Sequence, residues 1–139
     1  MKRVFLDANV LFTAAHNPRG KAAFIIELAA AGGFDLFTSS YAREEAERNI
    51  VAKYPSCAAI FNQLLQSITV VPVTPLTVDY PEILSAKDAP IFAAAVHCRA
   101  THLLTGDTKH FGSLMNQPDL CGGMIVQTVA QFLDYLLQE

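Results

Sequence analysis

The chain is short of charge. Asp, Glu, Lys and Arg make up 17% of its 139 residues, against 52% hydrophobic. That balance excludes an intrinsically disordered polymer, which needs the reverse. It supplies enough apolar material for one core, so a single domain over residues 1–139 is expected. No apolar run reaches the ~20 residues that span a bilayer, so no membrane association is expected. Cysteines are few: Cys57, Cys98 and Cys121. Their number is odd and no two have CxxC spacing, so reduced thiols are expected, not a disulfide framework or a thiolate metal site. Basic residues are not in excess, at ten against thirteen acidic, for a net charge of −3. That counts against a large polyanion-binding face. No Lys or Arg follows Lys109, so the C-terminal segment adds little to such a face. A glycine-rich first turn is also missing. Asp7-Ala8-Asn9-Val10 stands there instead, which excludes a dinucleotide-binding fingerprint. No internal repeat, low-complexity tract or linker divides the chain.

What is present is an alternation of strand-like and helix-like segments. Arg3 to Leu6 is a short apolar run ending at Asp7. The opening MKRVFLDANV has the charged tip of a secretory leader, but Asp7 and Asn9 interrupt the apolar stretch and no small-residue cleavage site follows. It reads as the first strand of a cytoplasmic protein. Asn17-Pro18-Arg19-Gly20 is a turn, and Lys21 to Ala31 is helical until Gly32-Gly33 stops it. Phe34 to Thr38 reads as a strand. Ser39-Ser40 opens a helix through about Lys53, and after Tyr54-Pro55-Ser56 another runs to about Gln66. Ile68 to Val73 is β-branched and strand-like. A proline-containing connection from Pro72 to Pro81 follows. Asp88 starts an Ala-rich helix to about Arg99, His102 to Thr105 is a strand, and Met124 to Val126 is another. Thr128 caps a last helix, Val129 to Leu137. Short strands alternating with helices imply an α/β fold: a three-layer α/β/α sandwich around a central parallel sheet of about five strands.

In such a sheet, strand C-termini and helix N-termini share one edge. Asp7 ends the first strand, and Asp107 follows the strand His102 to Thr105. Asp88 opens the helix before that strand, and Glu45 lies early in the helix after Phe34 to Thr38. Topology alone thus gathers four carboxylates at one edge. Asp7, Asp88 and Asp107 each have a simpler reading as helix caps, worth about 1 kcal/mol. Glu45 does not. Its helix carries an apolar stripe at Ala42, Ala46 and Ile50, which points Glu44 toward solvent and leaves Glu45 and Glu47 on the flanks. Glu45 is nearer the sheet edge. Four unpaired acids repel one another unless a cation neutralises them. A hard divalent ion with oxygen ligands does so, which points to metal-assisted chemistry on a phosphate.

The segments VFLDANVL, TSSYAREEAERNI, SAKDAPIFAAAV and LLTGDTKHF, in this order and spacing, resemble the PIN-domain family across nearly the whole chain. Among its members the chain is most similar to compact prokaryotic ones, many of them toxins of toxin–antitoxin pairs. The resemblance implies a Mg²⁺- or Mn²⁺-dependent endoribonuclease holding one or two ions and leaving 5′-phosphate and 3′-hydroxyl ends. It carries the catalytic and metal-binding acids onto Asp7, Glu45, Asp88 and Asp107, with Asn9 and Thr105 as the residues that orient them. Asp7 and Asp107, at strand ends, are expected to be direct ligands, and Asp88 and Glu45 to act partly through water. Lys109, Lys21 and Arg43 are expected at substrate phosphates, with Arg19 and Lys87 also near the edge and Lys109 the first choice. The histidines His16, His97, His102 and His110 share no motif spacing and are read as surface or packing residues. RNA is the implied substrate, an antitoxin protein the implied partner, and a homodimer the expected assembly.

Other families fit less well. A haloacid-dehalogenase-type phosphatase needs Asp two residues after the first, where this chain has Asn9. A response-regulator receiver needs a phosphorylatable Asp at the end of its third strand, and Val71-Pro72-Val73 offers none. The alternative from another class is a non-catalytic PIN-like module that binds RNA or scaffolds a partner. Such a module has no reason to keep four acids together.

Overall fold

The structure, a computed structural model, describes residues 1–72, 81 and 84–138. Strand β1 (Arg3–Leu6) lies at the middle of a five-stranded parallel sheet. Its Val4, Phe5 and Leu6 have no exposed surface. Successive strand residues point to opposite faces, so three buried in a row mean that both faces are covered. On one side β1 pairs with β2 (Asp35–Ser39), which pairs with β3 (Thr69–Val71). On the other side β1 pairs with β4 (His102–Leu104), which pairs with β5 (Ile125–Gln127). The strand order is β3-β2-β1-β4-β5. The chain first builds outward from β1 through β2 and β3, then returns to lay β4 on its other flank. Among the described residues six α-helices cover the faces, giving the three-layer α/β/α sandwich.

The element boundaries fall within two residues of the sequence reading, with one omission. Ala8–His16 is a helix, α1, that begins directly after β1 with no loop between. Its buried Ala8, Leu11 and Ala15, with Val10 and Ala14 beside them, follow helical spacing. The signal is hidden because Asp7 ends the strand and caps the helix at once. α2 (Lys21–Ala30) ends where Gly32 takes φ +94°, a left-handed conformation that glycine adopts without a Cβ penalty. In α3 (Ser40–Lys53) the stripe Ala42, Ala46 and Ile50 is wholly buried. α4 (Ala58–Leu65) follows a single 3₁₀ turn. α5 (Ala89–His97) is almost entirely apolar and buried, as a helix close against a sheet must be. α6 (Val129–Leu137) starts at a full capping box, with the Thr128 hydroxyl accepting from Gln131 N and the Gln131 side chain accepting from Thr128 N. Residues 73–80 of the connection after β3, and Val73 at the end of the expected third strand, lie outside the described residues.

Phe5, Phe61, Phe111 and Phe132 are the largest fully buried side chains. Phe34 meets Phe132 edge to face at 5.4 Å. Phe111, with no exposed surface, donates its backbone N–H to Asp107 O in the turn after β4. No helix among the described residues is long and apolar enough to cross a membrane. Cys57, Cys98 and Cys121 are free thiols, and burial pushes Cys98 and Cys121 up from the usual value.

Candidate metal centre

The strand order reverses between β1 and β4, and a crevice opens there at the carboxyl ends of the strands. Asp7 leaves β1 and Asp107 follows β4, so the two stand on either side of that crevice. A cavity of about 680 Å³ occupies it, lined by Asp7, Glu45, Asp88 and Asp107 together with Asn9 and Thr105. Lys21 and Lys87 also line it. Glu44 and Glu47 are exposed and do not.

Asp7 is held from several sides. Its backbone N–H donates to Leu104 O across the sheet. Its Oδ1 accepts from Ala8 N at 2.7 Å, which caps α1. Its Oδ2 accepts from the Thr105 hydroxyl at 2.8 Å and from Asn9 Nδ2 at 3.2 Å. Asn9 spans the crevice. Its Nδ2 lies 3.3 Å from Thr105 Oγ1, and its Oδ1 accepts from Gly106 N at 2.7 Å. A Cβ at position 106 would stand 3.3 Å from that oxygen, so glycine permits the close approach. Thr105 Oγ1 also accepts from Asp107 N. A continuous set of hydrogen bonds therefore joins the end of β1 to the end of β4 through side chains.

Asp88 begins α5 but makes no capping bond; its Oδ2 accepts instead from the Ser85 hydroxyl at 2.8 Å. The Tyr41 hydroxyl of α3 donates to Lys87 O and so ties the Asp88 turn to the helix that carries Glu45. Asp107 Oδ1 accepts from His110 N at 3.0 Å, closing a turn. The His110 ring nitrogen Nδ1 stands 2.7 Å from Asp107 Oδ2 and 2.9 Å from Oδ1.

The electrostatics follow from this arrangement. Burial pushes the Asp7 carboxyl up to about 6, and the charges of Glu45 and Asp88 push the same way, against the Thr105 and Ala8 hydrogen bonds. Partial burial acts upward on Asp107 too, but the backbone and ring of His110, then the charge of Lys87, hold it below the ordinary carboxylate value. Among the described residues no Lys or Arg forms an ion pair with Asp7, Glu45 or Asp88; at the site the His110 ring contacts Asp107, an ion pair only when the ring is protonated. Carboxylates converging with no Lys or Arg paired to Asp7, Glu45 or Asp88 among the described residues fit a divalent ion, which takes oxygen donors.

The detail differs from the sequence expectation. The compact donor set among the described residues is Asp88, Asp107 and His110, whose ligand atoms all lie within 4.8 Å of one another. Asp7, expected as a direct ligand, is 5% exposed and has hydrogen bonds on both oxygens. Glu45 is half-buried at the cavity wall. Lys109 is exposed and does not line the cavity, nor do Arg19 and half-buried Arg43, whereas Lys87 and Lys21 do. His16 stacks on Tyr54 at 4.6 Å, and His102 is buried against Phe132 and Tyr135. His97 is exposed. His110 is exposed, as a surface residue was expected to be, but its contact with Asp107 was not anticipated. The available signal was its position three residues after Asp107 within LLTGDTKHF, close enough for one turn to bring the two together.

A family model described as the PIN domain matches residues 3–109. Two solved structures are similar in fold. One is VapBC2 from Rickettsia felis bound to a DNA fragment from its promoter, at 16% identity and a TM-score of 0.68, covering 91% of this chain and 98% of the other. The second is VapBC-1 from nontypeable Haemophilus influenzae, at 15% identity and a TM-score of 0.56, covering 92% and 98%. No curated protein matches the chain in sequence.

Proposed function

The chain belongs to the PIN-domain family, and from that premise we propose that it is a metal-dependent endoribonuclease, built as one domain over residues 1–139 and acting as the toxin of a toxin–antitoxin pair. The observation that carries this reading is the convergence of Asp7, Glu45, Asp88 and Asp107 on one cavity with no Lys or Arg ion pair to three of them among the described residues. Asp88, Asp107 and Glu45 are the groups available to hold Mg²⁺ or Mn²⁺, with Asp7 behind them. An ion held by these residues would supply Lewis-acid stabilisation of a phosphate oxygen and an activated water.

The chain's own residues set the stage for that chemistry. Thr105 and Asn9 donate to Asp7 Oδ2 and fix its orientation, as hydrogen-bonded outer residues do for metal-site carboxylates. Lys21 and Lys87 line the cavity, which supports assigning them to phosphate oxygens of an RNA strand. They replace Lys109 as the first choice. The fold likeness to VapBC structures supports an antitoxin partner for this chain. A homodimer is part of the same proposal, checked by light scattering of the purified protein.

The test is cleavage of a mixed RNA panel with Mg²⁺ or Mn²⁺. Wild type should cut, EDTA should stop it, and folded Asp7→Asn should be inactive. Clean RNA binding with no cleavage under any divalent metal would overturn the proposal in favour of a non-catalytic module.

A further inference from the structure

We propose that His110 is a nitrogen ligand to the cation of this site and makes the site prefer Mn²⁺ over Mg²⁺. The inference rests on the metal-dependent reading above and deepens it. Carboxylates alone discriminate weakly among hard divalent ions. An imidazole nitrogen does discriminate, because it suits first-row transition metals, whereas Mg²⁺ favours oxygen and releases water reluctantly.

The geometry points to the ring as a donor to the ion. Nδ1 faces both oxygens of Asp107 at 2.7 and 2.9 Å. Two donors side by side on an octahedral ion, with bonds of about 2.1 Å, stand about 3 Å apart. The ring nitrogen and the carboxylate stand at that spacing because they are in hydrogen-bond contact with each other, so an ion binding between them would take the place of the proton they share. Asp88 completes the set, with one ligand atom from each of the three residues within 4.8 Å of the others. The backbone holds this arrangement independently of the imidazole. His110 N donates to Asp107 Oδ1, Phe111 N donates to Asp107 O, and the next side chain, Phe111, has no exposed surface. Replacing the imidazole therefore removes a donor and leaves the turn standing. The ring is 57% exposed, so moving it onto an ion displaces no core contact.

The experiment uses the full chain, stripped with EDTA and reloaded with Mn²⁺ alone or Mg²⁺ alone. Electron spin-echo spectroscopy of the Mn²⁺ form should show modulation from one directly bound ¹⁴N in the wild type. Neither His110→Ala nor His110→Gln should show it. By calorimetry, His110→Ala should weaken Mn²⁺ roughly tenfold or more and Mg²⁺ by less than about threefold. Bound Mn²⁺ without nitrogen modulation in the wild type overturns the role of His110 and leaves the carboxylate site intact. Equal loss for both ions in His110→Ala also overturns it, since that is what a residue merely orienting Asp107 would cause. If the wild type binds neither ion, this inference and the proposed function both fail. The wild-type spectrum needs no variant, so a poorly folded substitution does not remove the test.

Discussion

The Asp7 carboxyl is 5% exposed, and its pKa is raised to about 6, first by burial and then by Glu45 and Asp88. Unfolded, such a group titrates near its ordinary value of 3.8. The folded state therefore binds this proton more tightly than the unfolded chain does. Below about pH 4 both states are protonated and that stabilisation is complete. As the pH rises through 6 it is lost, by about 3 kcal/mol for a rise of this size. We expect metal-free Asp7→Asn to gain stability relative to wild type between pH 4 and 7, by about 1–3 kcal/mol, in paired urea melts. The gain should fall short of the full value, since the amide offers one acceptor where the carboxylate offers two. A wild type that gains on the variant as the pH rises would contradict the burial argument. Thr105 works in the opposite direction. Its hydroxyl donates to Asp7 Oδ2 and accepts from Asp107 N, so Thr105→Val should raise the Asp7 pKa further and lower cleavage by about 10–100-fold. The pH–rate profile of that variant, shifted upward on its acidic limb, separates the effect from simple loss of fold.

Among the elements, the turn after β4 is where packing and chemistry meet. Phe111 lies fully buried four residues past Asp107 and fixes the turn that presents Asp107 and His110. Phe111→Ala should cost about 3–5 kcal/mol, read by denaturant melts, and loosen both site residues together. At the start of α6, Thr128→Ala removes the capping box and should cost about 1 kcal/mol. The cap at Thr128 was legible in the sequence, because a hydroxyl residue ahead of an apolar run marks a helix start; the Gln131 half of the box was not read. The buried stripe of α3 was legible too, and with it the position of Glu45 rather than Glu44 at the cavity wall. α1 was not, since nine residues following a strand without a loop give periodicity little room to show. The Asp107–His110 contact escaped for a related reason. A three-residue spacing permits such a contact in a turn without requiring it.

At the scale of the whole molecule, four acids come from separate stretches of sequence and meet because β4 returns to the flank of β1. Ordering them against their mutual repulsion costs free energy that a cation bound as proposed would offset. Saturating Mn²⁺ or Mg²⁺, at about a hundred times Kd, should therefore stabilise the fold by about 2.7 kcal/mol, seen as a rise in Tm that EDTA reverses. Asp88→Asn combined with Asp107→Asn should abolish the rise.

The sequence by itself determined the strand–helix alternation, hence a parallel sheet, and hence the shared edge for Asp7, Glu45, Asp88 and Asp107. Those follow from periodicity and from the rule that strand ends and helix starts coincide in such a sheet. Only the tertiary structure decided the strand order, which seats Asp7 beside Asp107. It also decided which carboxylate is sunk and which stands open, and that a histidine rather than a lysine closes on Asp107. Local patterning can place a residue on an edge. Burial and distance depend on neighbours far away in the chain, and those exist only once the sheet has closed around β1.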